Sequence, residues 1–147
     1  RNMLLLVCGD GPITSDVRAF SQDNPDAVRY LGQLSRAEYL ATLGAADIGV
    51  VITNGEVSSP SFPSKSLDYW ASGLPILAAV ESSTDFGEII EKEKIGRACD
   101  VGDTSSLVHL MIEMTKSGHE IERARPIARE YLRKKHAVST VAELITK

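Results

Sequence analysis

Leu67-Asp68-Tyr69-Trp70-Ala71-Ser72-Gly73-Leu74-Pro75-Ile76-Leu77-Ala78-Ala79-Val80 passes from one periodicity to another. Leu67, Trp70, Ala71 and Leu74 recur at the spacing of one helical face. Gly73 then supplies a residue that tolerates the left-handed backbone on which helices stop, and Pro75 cannot continue the helix. The five residues that follow, Ile76–Val80, are apolar without alternation, the pattern of a strand covered on both faces. A helix that hands over to such a strand is a building block of a parallel sheet.

The same alternation runs outward in both directions. Strands are expected at Met3–Cys8, Val28–Leu31, Ile48–Thr53 and Gly96–Cys99. Ser35-Arg36-Ala37-Glu38 is a capping box, so a helix is expected from there to about Ala45. Asp85 and Glu88 open another that ends before Gly96. Asp103 caps a helix with Leu107, Leu110, Met111 and Met114 along one face, which Gly118 ends. Pro126 fits the first turn of a helix over Ile127–Lys135, and Val138–Thr146 reads as helical too. The expected fold class is α/β: a Rossmann-like, doubly wound parallel sheet closed by C-terminal helices. Ligands of such folds bind beyond the carboxyl ends of the strands.

The bulk properties set limits. A chain of 147 residues with 43% hydrophobic content suits one domain, residues 1–147. A net charge of −4 argues against nucleic-acid binding, which needs a strongly basic face. No apolar run approaches the roughly 18 residues that span a bilayer, and no secretory h-region is expected at the start of this sequence. Cys8 and Cys99 lie in apolar strand-like stretches and read as reduced core residues of a cytoplasmic protein. Arg1 stands first and a strand follows almost at once, so the chain reads as part of something longer.

Three strand ends carry candidate chemistry. Gly9-Asp10-Gly11-Pro12 is either a tight turn or a loop that lets a ligand approach the backbone. It completes neither the dinucleotide fingerprint nor a P-loop. Leu31-Gly32-Gln33-Leu34, after the second strand, is either a plain connection or a loop able to hold a base edge through its backbone groups. The third is Ser58-Ser59-Pro60-Ser61-Phe62-Pro63-Ser64-Lys65-Ser66-Leu67-Asp68, which ends by entering a helix. Unpaired N–H groups and the macrodipole at a helix start favour an anion. Lys65 in that first turn costs roughly 0.3–1 kcal/mol, and a bound phosphate reverses the sign. The alternative is an exposed lysine, since so small a penalty is tolerable. Asp68, one turn on, can accept hydrogen bonds from a ribose diol or simply favour the dipole. Glu56 either faces the same crevice or is a solvated loop residue. His109, His119 and His136 lack metal-ligand spacing, and no Asp-x-Asp pair occurs. The basic residues Arg123, Arg125, Arg129, Arg133, Lys134 and Lys135, interleaved with Glu122 and Glu130, make either a solvated face or a surface for an anionic membrane.

Pro63-Ser64-Lys65-Ser66-Leu67-Asp68-Tyr69-Trp70-Ala71-Ser72-Gly73-Leu74-Pro75-Ile76 resembles a run in the C-terminal domain of family 4 glycosyltransferases with the GT-B fold. That family has acid-x-x-Ala-x-Gly-x-Pro-Val here, and many surface-polysaccharide members carry Pro-Ser-Lys just before it. Leu6–Pro12 resembles its Gly-x-Gly-Pro loop, Tyr30-Leu31-Gly32 its strand end near the nucleobase, and Ala45-Ala46-Asp47 the approach to its third strand. Gly96, the Asp103 region and Arg129–Ile145 follow in the family's order.

The resemblance implies the nucleotide-sugar-binding half of a two-domain retaining enzyme, one that moves a sugar onto a glycan or lipid-linked acceptor. It implies that the amides of Ser64, Lys65, Ser66 and Leu67 hold the diphosphate and that Asp68 meets the ribose. Gly9 and Gly11 would line the loop, and Gln33 and Leu34 would border the base. Glu56 and Lys65 are the candidate catalytic residues. The family's upstream glutamate falls on Pro60, and Glu56 is the substitute only if the loop is rearranged. The donor is a nucleotide-sugar of UDP-hexosamine type; no metal or other cofactor is expected. The implied partners are an N-terminal domain of the same protein and, through the full-length protein, a peripheral contact with the inner membrane face. The chain alone should bind nucleotide weakly and transfer no sugar. Two rivals are a nucleotide-sugar epimerase of the same plan and a non-enzymatic doubly wound regulatory domain. A receiver-like version of the latter would want acids after the first strand and an aspartate ending the third, where Thr53-Asn54 stand instead.

Overall fold

A computed structural model describes residues 3–55, 62–116 and 118–136. The backbone divides into two compact units, Arg1–Thr42 and Leu43–Lys147.

The first unit holds β1 (Leu5–Cys8), α1 (Thr14–Asp23), β2 (Val28–Gly32) and most of α2 (Arg36–Ala45). β1 and β2 run parallel, with Leu5 opposite Val28 and a register slip between Val7 and Cys8. α2 starts on the expected capping box: the Ser35 N–H donates to Glu38 Oε2 at 2.8 Å, and the Glu38 N–H donates to Ser35 Oγ at 3.3 Å. The sequence reading missed α1. It has no side-chain cap and none of its residues is buried, although Ile13, Val17 and Phe20 fall at helical spacing.

β1 departs from expectation. It was expected to be covered on both faces, yet Leu5 and Leu6 remain 46% and 37% exposed. Its sheet has two strands, and apolar composition produces burial only where elements exist to cover it. For the same reason Cys8 is an exposed thiol rather than a core residue, while Cys99 is half-buried; both are free.

The second unit holds β3 (Gly49–Ile52), α3 (Lys65–Ser72), β4 (Ile76–Val80), α4 (Phe86–Lys92), β5 (Gly96–Asp100), α5 (Thr104–Lys116) and α6 (Gly118–Lys135). β4 lies between β3 and β5, parallel to both. Every residue of β4 is buried, as its unbroken apolar run requires. Trp70, Ile76, Ala78, Ile90, Ile95 and Ala128 form the dry centre. Close approach dictates two glycines: a Cβ on Gly49 would enter the Tyr69 ring, and one on Gly96 would overlap the Ile76 carbonyl oxygen.

α3 ends as its sequence demands. Gly73 takes φ +76°, and its N–H and that of Leu74 donate back to Trp70 O and Tyr69 O at 2.9 and 2.8 Å. Arg129 Nη2 donates to Ser72 O at 3.0 Å, a cation on the negative end of the helix. Asp103 accepts the Ser106 N–H at 2.9 Å and so caps α5.

The late helices differ from expectation. Gly118 is the first residue of α6, not the end of α5, and Pro126 lies inside α6 rather than in its first turn. The helix continues through the proline because Ile121, Ala124 and Ala128 form one buried face across it, and that packing outweighs the lost N–H. Val138–Thr146 lies outside the described residues.

Candidate functional site

In the second unit the question is which rim of the sheet α3 starts from. The Tyr69 hydroxyl donates to Val50 O at 3.3 Å, which ties the middle of α3 to the early part of β3. The far end of α3 leads through Leu74 and Pro75 into the start of β4, where Pro75 O accepts the Gly49 N–H at 2.9 Å. α3 therefore runs antiparallel to β3. Lys65 lies four residues before Tyr69, about 6 Å back along the axis at roughly 1.5 Å per residue. At about 3.3 Å per strand residue that brings it level with Ile52, the carboxyl end of β3. The helix start thus opens on the rim where parallel α/β folds bind ligands.

The entry to α3 is tighter than the sequence implied. Ser64 is already αR, at φ −56° and ψ −29°, with no side-chain cap. The Ser66 N–H donates to Pro63 O at 2.9 Å and the Leu67 N–H to Ser64 O at 3.2 Å. The Ser66 hydroxyl also donates to Pro63 O, at 2.6 Å, and Ser66 is fully buried. Two of the four expected anion-binding amides are therefore used by the turn itself. Among the described residues no acceptor meets the N–H of Ser64 or Lys65. Both residues are exposed, Leu67 packs on the core, and Asp68 is half-buried with interactions of its own. Glu56 lies outside the described residues.

A group the sequence reading passed over stands on the same rim. Glu81 follows β4 directly and is only 8% exposed. Its carboxylate accepts a hydrogen bond from the Thr53 hydroxyl, just past the end of β3. Thr53 is aligned by its own N–H, which donates to Ala79 O at 3.0 Å. The Thr53 hydroxyl, and then Glu81's own amide, hold the Glu81 carboxyl below the usual glutamate range. An acid placed directly after an unbroken apolar strand was the available signal.

The first unit gathers a second set. Gly9, at φ +116°, donates its N–H to Gly32 O at 2.8 Å, and its carbonyl accepts the Tyr30 hydroxyl at 2.7 Å. The Gly11 N–H is shared by Asp10 Oδ1 at 2.9 Å and Thr14 Oγ1 at 2.8 Å, and the Thr14 hydroxyl donates to Asp10 at 2.7 Å. The Thr14 bond, and then the Gly11 amide, lower the Asp10 pKa. This loop is held by its own groups, and what it offers a ligand is close access to the backbone. Gln33 is exposed and Leu34 half-buried, just past Gly32. Arg18, Ser21, Gln22, Tyr30, Leu31 and Gly32 line an open groove of about 360 Å³, with the Arg18 guanidinium 5.5 Å from the centre of the Tyr30 ring. Each unit therefore collects its own share of the expected site residues at strand ends.

No helix among the described residues is long and apolar enough to cross a membrane. No group of three or more His, Cys, Asp or Glu placed to hold a metal ion occurs among them. The basic run on α6 is partly paired: Arg133 and Lys134 both meet Glu130, at 2.7 and 3.2 Å, and Arg125 meets Asp47 at 3.3 Å.

Residues 1–117 match the family model described as Glycosyl transferases group 1. A protein of Pseudomonas aeruginosa named Probable glycosyltransferase WbjE is 31% identical over 107 residues, covering 72% of this chain and 27% of that protein. A crystal structure of a TarM mutant of S. aureus, in complex with fondaparinux, alpha-GlcNAc-glycerol and UDP, superposes with a TM-score of 0.75 at 14% identity. The match covers 96% of this chain and 28% of TarM. A second TarM structure gives 0.73 at the same identity and coverage. The chain thus spans about a quarter of the length of the relatives it matches, and its fold is that of one part of a GT-B protein.

Proposed function

The chain belongs to the glycosyl transferases group 1, and from that premise we propose that it is the C-terminal, donor-binding half of an enzyme that moves a sugar from a nucleotide to a glycan or lipid-linked acceptor. The observation that carries the reading is the start of α3. It opens on the carboxyl-end rim of the sheet with two amides that meet no acceptor among the described residues, and with Lys65 beside them. A diphosphate supplies the negative charge such a site favours.

In this proposal Ser64 and Lys65 hold the diphosphate and stabilise the charge that grows on it as the glycosidic bond breaks. Asp68 takes the ribose, while Gly9, Gly11, Gln33 and Leu34 border the nucleoside. Ser66 and Leu67 shape the turn rather than contact the ligand, since their amides are already bonded. Glu56 remains the proposed catalytic acid of the loop before α3. The donor we propose is a UDP-linked N-acetylhexosamine, transferred with retention during surface-polysaccharide assembly at the cytoplasmic face of a membrane. Support comes from the Pro63-Ser64-Lys65 run and from UDP and alpha-GlcNAc-glycerol in the TarM complex. The N-terminal half of the same protein is the proposed partner that supplies the acceptor site.

Product analysis on the full-length protein tests this. Incubation with UDP-N-acetylglucosamine and candidate acceptors should give a glycosylated acceptor with the donor's anomeric configuration. A free epimerised sugar nucleotide would identify an epimerase instead, and no affinity for any nucleotide would point to a regulatory domain.

A further inference from the structure

Glu81 has no part in the machinery described so far, yet it is more than nine-tenths buried. The Thr53 hydroxyl, and then its own amide, favour its charged form. These two donors fill only part of the acceptor capacity of a carboxylate, which has about four lone-pair sites. Glu81 directly follows β4, the central strand of its sheet, beside the strand whose exit leads to the start of α3.

We propose that Glu81 is a specificity-determining residue that accepts hydrogen bonds from hydroxyl groups of the donor's sugar ring, with Thr53 fixing its orientation. The inference rests on the donor-binding reading. Charge decides which part of the donor Glu81 meets. A carboxylate repels phosphate, so it cannot face the diphosphate that Ser64 and Lys65 attract. Two uncharged parts of a nucleotide-sugar are rich in O–H donors, the ribose and the hexose; Asp68 takes the ribose in the proposed reading, which leaves the hexose. Two hydroxyls on neighbouring ring carbons match the two oxygens of one carboxylate, and bonds to a charged acceptor are the stronger kind. The Thr53 hydroxyl donates to one carboxylate oxygen and leaves acceptor capacity for the ligand.

The test uses the full-length protein and two probes, UDP and UDP-N-acetylglucosamine, titrated calorimetrically against wild type and Glu81→Gln. The glutamine can still accept the Thr53 hydroxyl, so the fold is kept, which a thermal melt verifies. UDP affinity should stay within about twofold. UDP-N-acetylglucosamine affinity should fall about tenfold, the difference between a charged and a neutral acceptor. Thr53→Val, which frees the carboxylate to turn, should show the same split more weakly. Equal losses for both probes would make Glu81 merely structural and overturn the proposal, as would no change for either. If wild type bound UDP normally and only the sugar-dependent part failed to respond, this inference would fall and the donor-binding reading would stand. Absence of UDP binding to wild type would remove both.

Discussion

Gly73→Ala should cost about 2 kcal/mol, and that cost should be shared with Arg129. Gly73 sits at φ +76°, where an L-residue loses roughly 1–2 kcal/mol. A Cβ there would also come within 2.8 Å of Arg129 Cζ. The guanidinium is the mobile end of its side chain, so it would swing away and give up its bond to Ser72 O. That bond is exposed and contributes about 1 kcal/mol. The lower entropy of the unfolded alanine chain returns about 0.5 kcal/mol. Arg129→Ala alone should therefore cost about 1 kcal/mol, and the double variant about 2 rather than 3, because the bond can be lost only once. Trp70 is the sole tryptophan, is fully buried and lies on α3, so its fluorescence in urea reports the unfolding of this helix. Full additivity of the two substitutions would refute the reasoning, since it would mean that the guanidinium does not move.

Gly96→Ala should destabilise by about 3 kcal/mol, because the new Cβ overlaps the backbone oxygen of Ile76 and β4 and β5 cannot separate without loss; thermal melts by circular dichroism would show it, and a change below 1 °C would contradict it. His136 packs beside Phe62, Trp70 and Tyr131, its Nε2 meets no hydrogen-bond partner among the described residues, and burial lowers its pKa from 6.5. The unfolded chain therefore takes up the proton first, and stability should fall as pH drops from 6.5 toward 5 and stay flat above. His136→Phe should remove that slope in urea titrations, and a slope that persisted would place its origin elsewhere. Lys65→Ala should weaken UDP binding about tenfold and reduce its salt dependence while leaving the melting temperature within about 2 °C, since Lys65 is exposed.

The second unit was largely legible because its signals are local and agree. The Ile76–Val80 run, the Gly73 stop and the Asp103 cap each name one structure, and packing reinforces all three. α1 was missed because no side-chain cap marks its start and its apolar spacing, Ile13, Val17 and Phe20, is short. Pro126 misled because proline's preference for a first turn is weaker than the buried face formed by Ile121, Ala124 and Ala128. The exposure of β1 could not be read from Leu4-Leu5-Leu6, since burial depends on what else folds beside a strand. The strand-end residues of the candidate site were legible as motifs, but which amides remain open was not. The bonds of Ser66 and Leu67 depend on how tightly the chain enters α3, a matter of backbone angles that the letters Pro63-Ser64-Lys65 do not specify. Glu81 was overlooked because a lone acid after a strand resembles a solvated loop residue until its burial is known.

Following backbone amide resonances of this chain while titrating UDP, with GDP and ADP as comparisons, tests the central claim most directly. The account predicts saturable shifts at the amides of Ser64 and Lys65, with smaller ones at Ser66 and Leu67 and a second group of shifts near Gly32 and Gln33. Saturation without any movement of the Ser64 and Lys65 signals would contradict it.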